Sequence, residues 1–111
     1  MKTLLLLILL VFLSLCVQEQ GDIQMPSVSA QSIIDACIKL CNSAKAYQDL
    51  SNGPCLGNPI PEYPDWVCDV AHSPRQTSVD DLTKNQCSAY REGRVAHFVE
   101  VDTNCNLLRA I

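Results

Sequence analysis

Positive charge is scarce in this 111-residue chain: Lys2 apart, seven basic residues face twelve acidic ones. Phosphate recognition needs clustered Lys and Arg, so nucleic acid is excluded as a partner class. Aromatics are few, with one Trp, three Tyr and two Phe. Any core is therefore built from aliphatic side chains and sulfur. There is no C-x-x-C pair, which sets the chain apart from thioredoxin-like redox proteins. There is no nucleophile-elbow motif around Ser73. There is no Asn-x-Ser/Thr acceptor, so glycosylation at that motif is not expected. The length excludes a multidomain enzyme, a polytopic membrane protein and a repeat array.

What the chain does have is a leader and cysteines. Lys2 precedes an apolar run from Leu4 to Leu15, broken only by Ser14. The run suits the hydrophobic region of a signal peptide and is short for a membrane span of roughly 20 residues. Gln18, Glu19, Gln20, Gly21 and Asp22 then change the polarity abruptly. Residues 17–31 are polar, hold Gly21 and Pro26, and show no clear period, so they read as a tether.

Seven cysteines are an odd number, and Cys16 stands apart where the apolar run ends. Leu13-Ser14-Leu15-Cys16 resembles the lipobox of a prokaryotic lipoprotein precursor, with Leu15 where that family carries a small residue. The resemblance implies that Cys16 is the lipid-attachment residue and the new N-terminus. Cleavage after Cys16 and an uncleaved N-terminal anchor are the alternatives. All three place the remaining domain, residues 32–111, outside the cytoplasm. Two later stretches, Trp66–Arg75 and His97–Asp102, resemble segments of small exported archaeal proteins of unknown function, a likeness that implies no activity.

The six remaining cysteines, Cys37, Cys41, Cys55, Cys68, Cys87 and Cys105, are spaced C-x3-C-x13-C-x12-C-x18-C-x17-C. In a small exported domain they read as three disulfides. Cys37 and Cys41 stand one turn apart on a helix face and are poorly presented to each other. Each is expected to reach a distant partner, which leaves 12 of the 15 possible connectivities open.

Ser32 to about Gln48 reads as an amphipathic helix. Ser32 and Asp35 form its S-x-x-D start, and Ile33, Ile34, Cys37, Leu40, Cys41, Ala44 and Tyr47 its apolar stripe. Gly53 to Asp65, with four prolines, reads as an irregular loop. Trp66 to His72 reads as a strand, with Trp66, Cys68 and Val70 on one side and Val67, Asp69 and Ala71 on the other. Ser78 to Gln86 allows a short turn or helix, and Cys87 to Ile111 two or three strands. Together these predict an α+β fold: one amphipathic helix on a small antiparallel sheet, stapled by disulfides.

No catalytic constellation emerges. Asp69 and His72, like His97 and Glu100, are three apart on strands and face opposite sides. Cys37, Cys41, His72 and His97 are zinc-ligand types, but a disulfide framework is the stronger reading in an oxidising compartment. Asp102, Asn104 and Asn106 mimic the start of a calcium loop, yet Leu107 replaces the required glycine, so they read as a turn. The sequence therefore implies no cofactor and no metal. It implies a non-enzymatic, membrane-tethered binding domain, whose partner is an envelope protein, a glycan or a peptide. A structural, pilin-like envelope component and a thiol-redox or zinc-binding protein are the alternatives.

Overall fold

The computed structural model describes residues 28–111. The leader, Cys16 and most of the tether lie outside the described residues. The element order is α1 (Ala30–Lys45), a 3-10 turn (Leu50–Asn52), β1 (Cys55–Gly57), β2 (Trp66–Val70), α2 (Thr77–Asp80), a second 3-10 turn (Thr83–Asn85), α3 (Ser88–Arg91), β3 (His97–Val101) and β4 (Leu107–Ala110).

The fold is α+β, with α1 packed on a four-stranded sheet of order β1-β2-β3-β4. The helix starts two residues before Ser32. Its cap is Ser29, whose Oγ accepts from the Ser32 backbone N–H at 3.2 Å. Asp35 instead accepts from the Gln31 side chain at 2.8 Å. The helix also ends early, at Lys45, so Tyr47 leaves the apolar stripe and is exposed. Ile33, Cys37, Cys41 and Ala44 make the buried stripe, at steps of four, four and three.

The sheet is mixed rather than wholly antiparallel. β1/β2 and β3/β4 pair antiparallel, while the central β2/β3 pair is parallel. A parallel pair needs a crossover of a dozen or more residues, and residues 71–96 supply it. That segment carries α2, the second 3-10 turn and α3 over the face opposite α1, so the sheet is covered on both sides. Val67, Cys68, Val70, Val99 and Val101 are accordingly almost fully buried. The proline-rich stretch 53–65 is not wholly irregular. Cys55–Gly57 forms the edge strand, and Ile60, fully buried, bridges to Tyr63. Gly53 ends the first 3-10 turn at φ 61°, the left-handed conformation that glycine adopts most cheaply.

Three disulfides staple the layers. Cys37–Cys68 ties α1 to β2, Cys41–Cys105 ties α1 to the turn before β4, and Cys55–Cys87 ties β1 to the crossover. Cys37 and Cys41 thus each reach a distant partner, as their shared helix face requires. The first two bridges lie in the cluster between α1 and the sheet. The third lies in a smaller cluster on the other face, with Val67, Ala89, Val95 and Phe98. Asp102 shapes the turn to β4: its Oδ1 accepts from the Asn104 and Asn106 backbone N–H groups, both at 2.9 Å.

Candidate functional site

The crossover does not cover its face of the sheet completely. It leaves a cleft of about 380 Å³ between β2, β3, β4 and α3. The pairing register explains what lines it. Asp69 stands opposite Glu100 across the parallel pair, and Glu100 stands opposite Arg109 across the next. Side chains of paired residues share a face. Asp69, Glu100 and Arg109 therefore form one row across three strands, and Cys55, paired with Asp69, extends the row to the edge.

Glu100 is buried and held from two sides. Arg109 Nε donates to its Oε1 at 3.3 Å, and Arg75 Nη1 donates to its Oε2 at 3.4 Å. Arg75 is itself fixed by Asp81, whose Oδ1 accepts from Nε at 2.9 Å and Nη2 at 2.7 Å. Asp69 has no such cation in contact. Burial pushes its carboxyl up to about 8, and the neighbouring Glu100 charge adds to the shift. Its one internal bond is from the Val70 backbone N–H, at 3.0 Å. At neutral pH this shift favours the protonated form of the Asp69 carboxyl.

Apart from Gln86 and Arg91, the rest of the wall is apolar. Phe98 and Tyr90 meet edge to face with ring centres 4.9 Å apart. The Arg109 guanidinium lies over the Phe98 ring at 4.9 Å from its centre. Val67 and Cys87 also line the cleft. An apolar slot with a few convergent polar groups and a perturbed acid is the usual form of a small-ligand site.

No protein-family model matches this chain, nor does any curated protein or solved structure. The cleft is consequently defined by its own geometry.

Of the residues singled out from sequence, Asp69, Glu100 and Cys87 line the cleft, and the others fall elsewhere. Cys37 and Cys41 are both bridged, so neither offers a thiolate for zinc. His72 lies at the start of the crossover, its Nδ1 2.9 Å from Asp80 Oδ1. His97 stacks on Trp66 with centroids 4.7 Å apart, on the α1 side of the sheet. Among the described residues no group of three or more His, Cys, Asp or Glu side chains is placed to hold a metal. Asp69 and His72 are not brought together, nor are His97 and Glu100. What the residue pattern did not yield is the pairing of Asp69 with Glu100. The available signal was an acidic residue inside each of two apolar strands, Val67-Cys68-Asp69-Val70 and Val99-Glu100-Val101.

The shift at Asp69 sets a pH dependence. The folded domain keeps a proton that the unfolded chain releases near 3.8, so between about 4 and 8 the folded state binds more protons. Stability therefore falls as pH rises through that window. Asp69→Asn keeps the acceptor for Val70 and removes the titration. It is expected to raise the melting temperature at pH 8 by about 5 °C or more, with little change at pH 4.5. Equal pH slopes for the variant and the wild type would remove Asp69 as their source.

Proposed function

We propose that this chain is a non-enzymatic binding domain held outside the cytoplasm at a membrane surface, and that the arginine-lined cleft is its binding site. The observation that carries the reading is the cleft itself, with its apolar wall, its row of polar groups and a fixed, bridge-stapled frame. Three disulfides in so small a domain fit an oxidising compartment. No helix among the described residues is long and apolar enough to cross a membrane, so the tethering rests on the N-terminal segment. Lipidation of Cys16 is the form of tether that the lipobox resemblance implies, and an envelope protein, glycan or peptide is the class of partner within reach. The pairing of all six cysteines of the domain weighs against the thiol-redox and zinc readings.

The test is amide chemical-shift mapping on the oxidised full chain. Separate pools of small sugars, amines, acids and short peptides are titrated in, and each pool is recovered afterwards. At least one pool is expected to shift Val67, Phe98 and Glu100 together and saturably, and to be recovered unchanged. Shifts confined to other surfaces contradict the site. Conversion of any compound contradicts the non-enzymatic reading.

A further inference from the structure

The cleft concentrates one kind of side chain. The chain has only four arginines, and three of them, Arg75, Arg91 and Arg109, line this one cleft of an acidic protein. Their donors are unequally used. Arg75 spends Nε and Nη2 on Asp81 and Nη1 on Glu100. Arg91 gives Nη1 to the Thr83 carbonyl at 2.7 Å, and its Nη2 lies 3.6 Å from Glu92. Arg109 gives only Nε to Glu100, and among the described residues its two Nη groups have no hydrogen-bond acceptor. The bond to Glu100 and the Phe98 ring 4.9 Å away hold that half-exposed guanidinium over the cleft. Its outer edge is a preset fork for a carboxylate.

The two acidic groups do not make the cleft a cation site. Glu100 already faces two guanidinium groups. Asp69, partly buried beside it, has its carboxyl pushed up to about 8, by burial first and by the Glu100 charge second. Counting Asp69 as neutral, Glu100 is the one side-chain carboxylate on the cleft wall against three arginines. At the rim Asp81 pairs with Arg75, and Glu92 is held at 2.9 Å by Arg94 and lies 3.6 Å from Arg91. The remaining surface, Phe98 and Tyr90, is aromatic and takes an apolar body.

We propose that the cleft binds a small organic anion, with a carboxylate on the free edge of Arg109, assisted by Arg91, and an apolar body against Phe98 and Tyr90. This rests on the reading of the cleft as a binding site and adds the ligand's chemistry. A free aromatic acid and a peptide ending in an aromatic residue share that chemistry.

The experiment uses the oxidised full chain and four probes. They are 3-phenylpropionate, its uncharged amide, a Gly-Phe dipeptide with a free carboxylate, and the same dipeptide amidated. Binding is read from the Phe98 amide and the Arg109 Nε–H signal. Both acids are expected to bind saturably and at least ~10-fold more tightly than their amides, since charge-assisted hydrogen bonds are about twice as strong as neutral ones. R109Q is expected to lose ~10-fold in affinity for the acids and little for the amides, and R91Q less. Intact bridges and an unchanged fingerprint of α1 in each variant exclude misfolding as the cause. Tighter binding of the dipeptide than of phenylpropionate assigns the carboxylate to a chain terminus, and the reverse to a free acid. Acid and amide bound equally would leave a binding cleft and overturn the anion. No saturable shift from any of the four probes would overturn the anion, and the binding cleft would fall with it only if the wider pools of sugars, amines, acids and peptides also left Val67, Phe98 and Glu100 unshifted.

Discussion

Removing the Cys41–Cys105 bridge as C41A/C105A is expected to lower folding stability by about 4 kcal/mol. The bridge closes a loop of 64 residues, the longest of the three. In the chain-entropy account a loop of that length restrains the unfolded state by roughly this amount. A domain of this size has on the order of 5–10 kcal/mol in all, so the loss takes a large part of it. A fall in melting temperature of at least ~15 °C follows. Alanine is the right replacement because both positions are buried and a serine hydroxyl there would add a cost of its own. The bridge also anchors two unlike pieces of chain: Cys41 on the core face of α1, and Cys105 in the turn before β4, at φ 65°. C37A/C68A, closing 31 residues, is expected to cost roughly 0.6 kcal/mol less on loop length alone. Denaturant midpoints for the two double variants check the order, and an unshifted midpoint for C41A/C105A would contradict the stapled frame.

Asp80→Ala is expected to cost about 3 kcal/mol, although Asp80 is neither apolar nor in the cleft. Only 4% of it is exposed. Its Oδ2 accepts from the His72 and Gln76 backbone N–H groups at 3.0 and 2.8 Å, and its Oδ1 meets His72 Nδ1. It therefore fixes the first turn of the crossover, just where the chain leaves β2. Alanine leaves two backbone donors without an acceptor, at roughly 1–3 kcal/mol each when buried. Asp80→Asn is expected to lose less, because one carboxamide oxygen can still accept. Burial pushes the Asp80 carboxyl up, but the bonds from His72 and Gln76 outweigh it and hold the carboxyl below the ordinary value. Its stabilisation is present above 3.8 and is lost as pH falls through the lowered value. Asp102, where the turn's backbone bonds outweigh burial in the same way, adds to that acid-side loss. With Asp69 acting in the opposite sense from 4 to 8, stability is expected to peak near pH 4, and D69N to extend the plateau toward neutrality. Thermal melts from pH 2.5 to 8 check both flanks. A wild-type maximum at pH 7 or above would contradict the pair of shifts.

The fold was legible where pattern and geometry are local. The apolar steps of α1 and the alternation in β2 and β3 come from side chains that see one layer each. The veto on Cys37–Cys41 followed from helix geometry alone. The helix ends were less legible. Ser32, with Asp35 three residues on, carries the stronger start signal in sequence, yet the helix begins earlier, with Ser29 as its cap. The parallel centre of the sheet was not legible, because the crossover over residues 71–96 consists of one-turn helices without a periodic stripe. The site was hidden for the same reason. Asp69 and Glu100 were each placed on a strand face, but their adjacency depends on which strands are neighbours and in which direction they run. Arg75 and Arg109 reach Glu100 from two further elements, and no spacing in the sequence encodes that meeting.

The closed three-bridge frame and the proposed export of the chain can be tested together. The most direct measurement is the intact mass of the native protein, with thiol alkylation before and after reduction. The predicted result is a chain beginning at or just after Cys16. None of the six cysteines Cys37 to Cys105 takes up alkylating agent before reduction, and all six do afterwards. Added acyl mass would place the lipid on Cys16. A chain that retains residues 1–15 and alkylates at several of the six without reductant would contradict the frame and the compartment together.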